Sequence, residues 1–209
     1  MKAKDAPGSK REVSYGENRS FRGLEDFAIR RRLRPAQQML KELSHQNPAK
    51  NFEVLELGCG FLGRNLTQLS KDYANIRFTG VDLSVSKDVS GIQLIEDDIS
   101  TWKPSHEYDA VLSLAVVEHL SNPQGHFDLI ATCLKDDGLA GLTTPGPQAH
   151  LALDVLSRLG VFDRSEILDH KLYLTERGTR LLAKNSGLLV QEFRTFSLGM
   201  NQWILLRNS

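Results

Sequence analysis

Neither a surplus of one charge, nor a dense cysteine pattern, nor a long apolar run marks this sequence of 209 residues. Its 26 Lys and Arg balance 26 Asp and Glu, so no global field recommends a polyanion or an acidic membrane, and any such partner has to be argued from a local patch. Only two cysteines occur, Cys59 and Cys133; they have no metal-ligand spacing and make no disulfide framework, which suits a reducing compartment. No stretch approaches the roughly 20 apolar residues of a membrane span. Met1-Lys2-Ala3-Lys4-Asp5 lacks the apolar core of a secretory leader, so the expectation is a soluble, cytoplasmic protein. Repeats and low-complexity tracts are also missing, and the length suits one packed core with some decoration.

Residues 1–20 are polar, with Tyr15 the one residue able to pack, and read as a flexible arm. Residues 21–50 read as a helical cap. Leu24, Phe27, Ala28 and Leu33 recur at helical spacing, and Pro35 suits the first turn of a second helix through Leu43. Arg30-Arg31-Arg32-Leu33-Arg34 is the densest basic run and invites a nucleic-acid reading. Four arginines in five positions cannot share one helix face, however, and Glu25, Asp26 and Glu42 are near enough to pair with some, so nucleic acid is not the expected partner.

From residue 51 onward, strand and helix patterns alternate. Phe52 to Leu57 is nearly continuously apolar, as a strand buried in a parallel sheet should be. It breaks into Gly58-Cys59-Gly60-Phe61-Leu62-Gly63, after which helical spacing resumes to about Lys71. Glycines tolerate positive φ and admit a ligand close to the backbone. Ile76 to Asp82 is a second strand ending on an acid roughly 20 residues past the glycines, where such sheets hold a ribose. Only a loop or a single turn fits before a third strand, Ile92 to Ile95, which leads to Glu96-Asp97-Asp98-Ile99. There Asp98 can bind an exocyclic amine with Ile99 beside a base.

Tyr108 to Leu114 is the fourth strand, a helix covers Phe127 to Leu134 and ends over Lys135 to Gly138, and Leu139 to Thr144 is the fifth strand. A helical stretch from Gln148 to Leu159 follows, then a helix capped by Thr175 and closed near Gly187. Leu188 to Phe196 and Asn201 to Arg207, joined by the turn at Leu198-Gly199-Met200, must pair antiparallel. The class is α/β, with a mostly parallel sheet of seven strands and an antiparallel C-terminal hairpin.

Taken alone, Gly58-x-Gly60-x-x-Gly63 with Asp82 satisfies an NAD fingerprint. The two preceding helices and the terminal hairpin leave no second mononucleotide half, and one adenosine-sized site fits better. Together, Glu56-Leu57-Gly58-Cys59-Gly60, Val81-Asp82-Leu83, Asp98-Ile99 and Val117-Glu118-His119-Leu120 resemble the class I S-adenosylmethionine-dependent methyltransferases, within them the small-molecule enzymes that include the ubiquinone-biosynthesis O-methyltransferases. The resemblance covers about Val54 to Arg207 and implies a Rossmann-like open sheet with helices on both faces, a methyltransferase domain over 51–209, and an acceptor-pocket insertion at about 145–175. It implies S-adenosylmethionine as cofactor, S-adenosylhomocysteine as product, and a small-molecule acceptor methylated at oxygen. Glu56, Gly58, Cys59, Gly60 and Gly63 would shape the methionine end; Asp82 would hold the ribose with Leu83 against adenine; Asp98 and Ile99 would bind the adenine; Leu114 and Ala115 would line the sulfur.

Two departures stand out: Leu62 takes the place of a third glycine, and the segment after Asp82 is short. Relatives that bind a divalent ion use Glu-x-x-Glu-His, but Ala115 replaces the first Glu, so no metal is expected. His119 is the first candidate base, and His170, with His150 and Tyr173, falls in the acceptor-pocket segment. An RNA acceptor guided by Arg30 to Arg34, and an NAD-binding or non-catalytic protein, are the alternatives.

Overall fold

A computed structural model of the chain describes residues 19–146 and 174–209, with the backbone alone for 19–29. Residues 1–18 of the expected arm, the helix over Gln148 to Leu159, and His150, His170 and Tyr173 lie outside the described residues, while Arg19 and Ser20, expected in the arm, are already helical.

The elements run α1 (Arg19–Gln46), β1 (Phe52–Leu57), α2 (Arg64–Leu69), β2 (Ile76–Asp82), β3 (Gln93–Glu96), β4 (Tyr108–Leu114), α3 (Pro123–Cys133), β5 (Leu134–Pro145), α4 (Glu176–Asn185), β6 (Leu188–Phe196) and β7 (Asn201–Asn208). They build one seven-stranded sheet in the order β3-β2-β1-β4-β5-β7-β6. β1 to β5 pair in parallel, and β7 runs antiparallel between β5 and β6. From β1 the chain moves outward through β2 and β3, then returns to lay β4 on the other side of β1. The carboxyl ends of β1 and β4 therefore flank the point where strand order reverses, which is where open α/β sheets bind ligands.

Both sheet faces are covered, so the central strands are largely apolar and every residue of β4 is buried, Asp109 and Ser113 included. On one face Leu33, Leu40, Leu66, Val54, Leu112 and Trp203 pack together; on the other, Leu55, Val111, Phe127, Ile130, Leu142 and Ile204 do. Trp203 lies so close over Gly141 that a Cβ there would fall 2.3 Å from its ring. None of the described helices is long and apolar enough to cross a membrane.

Four expectations are corrected. A single helix precedes β1, with Pro35 inside it. A mid-helix proline costs about 3 kcal/mol, whereas each fully buried Leu contributes roughly 1.5–3 kcal/mol. Leu33, Ala36, Leu40 and Leu43 form one buried stripe across the proline, so burial wins. α3 starts at Pro123 rather than Phe127, because the Asn122 side chain caps it by accepting the Gly125 N–H at 3.0 Å, and proline is tolerated in the first turn. Lys135 to Gly138 belong to β5 instead of closing a helix; the β4–β5 register shifts between Tyr108 and Ala110 to admit them. β3 lies one residue later than the apolar run suggests. The link from β2 to β3 has no helix, as its shortness required.

Candidate active site

The turn after β1 is shaped by three left-handed glycines: Gly58 and Gly60 at φ 73° and Gly63 at φ 51°. The Gly58 N–H donates to the Val81 carbonyl (2.8 Å) and the Gly63 N–H to the Gly60 carbonyl (3.0 Å), closing a tight loop against the end of β2. A Cβ on Gly58 would meet Val116 at 2.6 Å, so this position must stay bare for the turns after β1 and β4 to touch. Above Gly60 there is open space, room for a ligand to approach the backbone. The third glycine, displaced by one behind Leu62, becomes the left-handed cap from which α2 starts.

Glu56, the penultimate residue of β1, is completely buried. Its Oε1 accepts from the Asn65 side-chain amide on α2 at 2.7 Å, while Oε2 has no partner among the described residues. Burial pushes the carboxyl up to about 7, the Asn65 hydrogen bond opposing and the Asp82 charge adding to the rise. Across the turn, Asp82 Oδ2 accepts the Gly60 N–H at 2.8 Å. The arrangement is a buried anionic end with one unused acceptor, beside a second carboxylate that braces the glycine loop. A cation with N–H donors is the natural complement of Glu56, and its arrival would favour the ionised carboxyl.

Leu83 is 69% exposed, and Phe61 and Leu62 of the turn are also exposed. These apolar side chains rim the carboxyl edge beside Asp82, a surface suited to a flat ring. The loop is tied to the turn by the Ser86 N–H, which donates to the Phe61 carbonyl at 2.7 Å. Asp98 is fully exposed; its Oδ1 accepts the Ser100 N–H (2.8 Å), and hydrogen bonds from Ser100 hold it below the usual carboxylate range. Ile99 packs against the core cluster of Leu57 and Val81.

At the end of β4, Leu114 is buried and Ala115 adopts φ 58°, a left-handed conformation for a residue with a Cβ. It is held there by its N–H, which donates to the Thr143 carbonyl (2.9 Å) and hydroxyl (3.1 Å). Backbone strain of this kind costs about 1–3 kcal/mol and concentrates at functional sites. A short 3-10 turn, Val117–His119, then buries Glu118 and exposes His119. Burial pushes the Glu118 carboxyl up to about 7, with the Thr144 hydroxyl and the charge of Arg32 opposing.

Cys59 is buried, with its thiol against Gly80, and burial with the Glu56 and Asp82 charges pushes it up to about 12, so it is no nucleophile. The basic run splits as its spacing demands: Arg30 borders an open groove with Arg64 and Lys71, and the charge of the half-buried Arg32 acts on Glu118. Glu42 accepts from Gln38 (3.2 Å), and among the described residues it pairs with no arginine. Among the described residues no three His, Cys, Asp or Glu side chains gather to hold a metal ion. Sequence reasoning missed Asn65 and Thr143, and it named Arg32 within the basic run without relating its charge to Glu118. Asn65 was detectable as a polar residue in the first turn of a helix that starts beside a buried acid.

Fold and site together define an α/β protein whose ligand crevice lies at the carboxyl edge of its sheet. A family model for the methyltransferase domain matches residues 27–192, and the chain belongs to that family. Trans-aconitate 2-methyltransferase of Acidovorax ebreus is 27% identical over 121 residues, 54% of this chain and 45% of that protein. Ubiquinone biosynthesis O-methyltransferase of Rickettsia bellii is 22% identical over 202 residues, 86% of this chain and 81% of that protein. The chain thus spans under half the length of the first relative and most of the second. Magnesium protoporphyrin IX methyltransferase from Synechocystis PCC 6803, solved with bound SAH, shares the fold at a TM-score of 0.57 and 15% identity over 87% of each chain.

Proposed function

We propose that this protein is an S-adenosylmethionine-dependent methyltransferase that acts on an oxygen of a small molecule. The observation that carries this reading is the buried Glu56 with one unused oxygen, set between the open backbone at Gly60 and the Asp82 carboxylate. Glu56 would receive the ammonium of the methionine end, the glycine turn its carboxylate end, Asp82 the ribose, and Leu83, Asp98 and Ile99 the adenine. Leu114 and Ala115 would line the sulfur, where the strained Ala115 backbone fixes the wall. The cofactor supplies an activated methyl group, so the protein's main contribution is alignment, which is worth several kcal/mol. His119, exposed next to this wall, is the proposed proton acceptor, with His170 the second candidate. The relative matched over most of its length is named an O-methyltransferase, which favours oxygen as acceptor atom and a small molecule over RNA.

Calorimetric titration with S-adenosylhomocysteine, S-adenosylmethionine and NAD tests the cofactor. The expected result is micromolar binding of the first two and none of NAD; preference for NAD defeats the reading. Asp82→Ala should weaken S-adenosylhomocysteine by at least about tenfold, through the lost ribose contact and the unbraced Gly60 N–H.

A further inference from the structure

Five buried side-chain polar atoms lack a hydrogen-bond partner among the described residues: Glu56 Oε2, Glu118 Oε2, His126 Nδ1, Thr144 Oγ1 and Gln202 Oε1. Buried polar groups are nearly always satisfied, and each one left unpaired is a net loss on folding. The His126 atom stands apart on α3, where its other ring nitrogen meets the Ser113 hydroxyl at 2.8 Å. The remaining four lie along the carboxyl edge. Glu56 is accounted for by the cofactor's ammonium under the reading above.

The other three form a group of their own. Glu118 follows β4, Thr144 ends β5 and Gln202 opens β7, and these strands are neighbours in the sheet. Thr144 and Gln202 are direct partners across the β5–β7 ladder, so their side chains leave the same face. The Thr144 hydroxyl is near enough to Glu118 to lower its pKa, while Thr144 Oγ1 and Glu118 Oε2 lack a well-formed hydrogen bond among the described residues. Among the described residues, Arg32 is the cation whose charge acts on Glu118. Gly146 closes the edge: its N–H donates to the Met200 carbonyl at 2.9 Å, and a Cβ on it would sit 2.4 Å from the Gly199 carbonyl.

The chemistry of the three atoms is one-sided. A carboxylate and an amide carbonyl can only accept, and a threonine hydroxyl can accept as readily as donate. A ligand anion would meet the Glu118 charge with only the Thr144 hydroxyl of the three groups to donate to it. An ammonium, with three N–H donors, satisfies all three atoms at once; a hydroxyl donates to one of the two obligate acceptors and can itself accept from the threonine.

We propose that Glu118, Thr144 and Gln202 form the acceptor subsite of this methyltransferase, and that it anchors an ammonium or hydroxyl group of the acceptor molecule through that group's hydrogen-bond donors. The subsite rests on the methyltransferase reading but is separable from it by experiment. Three probes of one shape, benzylamine, benzyl alcohol and benzoate, are titrated at pH 8 into the S-adenosylhomocysteine-loaded protein and followed by ligand-observed NMR. At least one of the two donor probes should bind about tenfold or more tighter than benzoate, and which one leads separates an ammonium from a hydroxyl acceptor. The double variant Thr144→Val with Gln202→Leu, which replaces unpaired polar atoms by apolar ones, should keep its fold and its S-adenosylhomocysteine affinity but lose that preference. Should the double variant fail to fold, Glu118→Gln alone should still weaken the benzylamine or benzyl alcohol preference several-fold. Benzoate binding as tightly as the donor probes, or a preference that survives the variants, overturns the subsite alone. Failure of the wild-type protein to bind S-adenosylhomocysteine overturns the underlying reading and the subsite with it.

Discussion

Strand β4 has a buried carboxylate at either end, and the two are handled in opposite ways. At the amino edge, Asp109 accepts from Lys50 (2.7 Å), Lys135 (2.9 Å) and the Glu53 backbone N–H (2.9 Å). Burial alone would raise its pKa, but these partners outweigh burial and hold it below the usual range. At the carboxyl edge, Glu118, like Glu56 at the end of neighbouring β1, keeps an oxygen without a partner among the described residues and is pushed up to about 7. One edge is electrostatically complete and serves stability. The other is left incomplete, which lowers stability but leaves acceptors free for a ligand.

The largest consequence is in pH dependence. For Glu56 and Glu118 the folded state binds protons more tightly than the unfolded chain, so stability falls as pH rises from 4.5 through about 7. By linkage the loss is on the order of 3 kcal/mol for each carboxyl. Denaturant unfolding of the cofactor-free protein across that window should show the decline, and Glu56→Gln with Glu118→Gln should flatten it; equal slopes would mean neither carboxyl is perturbed. Asp109 has the opposite sign. Its contribution is present above the ordinary 3.8 and is lost as pH falls through its lower folded value.

Next in size, Asp109→Ala should cost about 2 kcal/mol of unfolding free energy, less than a fully buried pair because Lys50 and Lys135 remain partly exposed. Cofactor affinity should be unchanged, and a loss of binding here would erase the division between the edges. Glu56→Gln should do the reverse, weakening S-adenosylhomocysteine about tenfold at pH 8 while leaving the protein as stable or more so. In the wild type that affinity should also fall as pH drops below about 7, since the bound ammonium needs the ionised carboxyl. Smallest of all, Lys135→Ala should cost about 0.5 kcal/mol, because Lys50 and the Glu53 N–H still satisfy Asp109.

Much of the fold was legible because its signals are local. Apolar runs bounded by turn residues marked all seven strands, and the Leu198-Gly199-Met200 turn announced the antiparallel hairpin. The single α1 was not legible, since a proline is a strong local stop signal and only the sheet beneath Leu33, Ala36 and Leu40 overrides it. The extension of β5 through Lys135 to Gly138 was hidden for a similar reason: charged residues and a glycine look like a helix end until Asp109 recruits Lys135.

The sequence by itself determined the α/β class, the glycine turn after β1, the acid at the end of β2, the missing helix before β3 and the family the chain resembles. The structural features follow from spacing along the chain, which sets hydrophobic period and turn chemistry, and the family from the resemblance of the motifs they carry. Only the tertiary structure decided which carboxylates are satisfied and which keep an unused oxygen, that Ala115 is held strained, and that the charge of Arg32 acts on Glu118. Those properties depend on desolvation and on partners brought together from distant strands, and no local pattern encodes them.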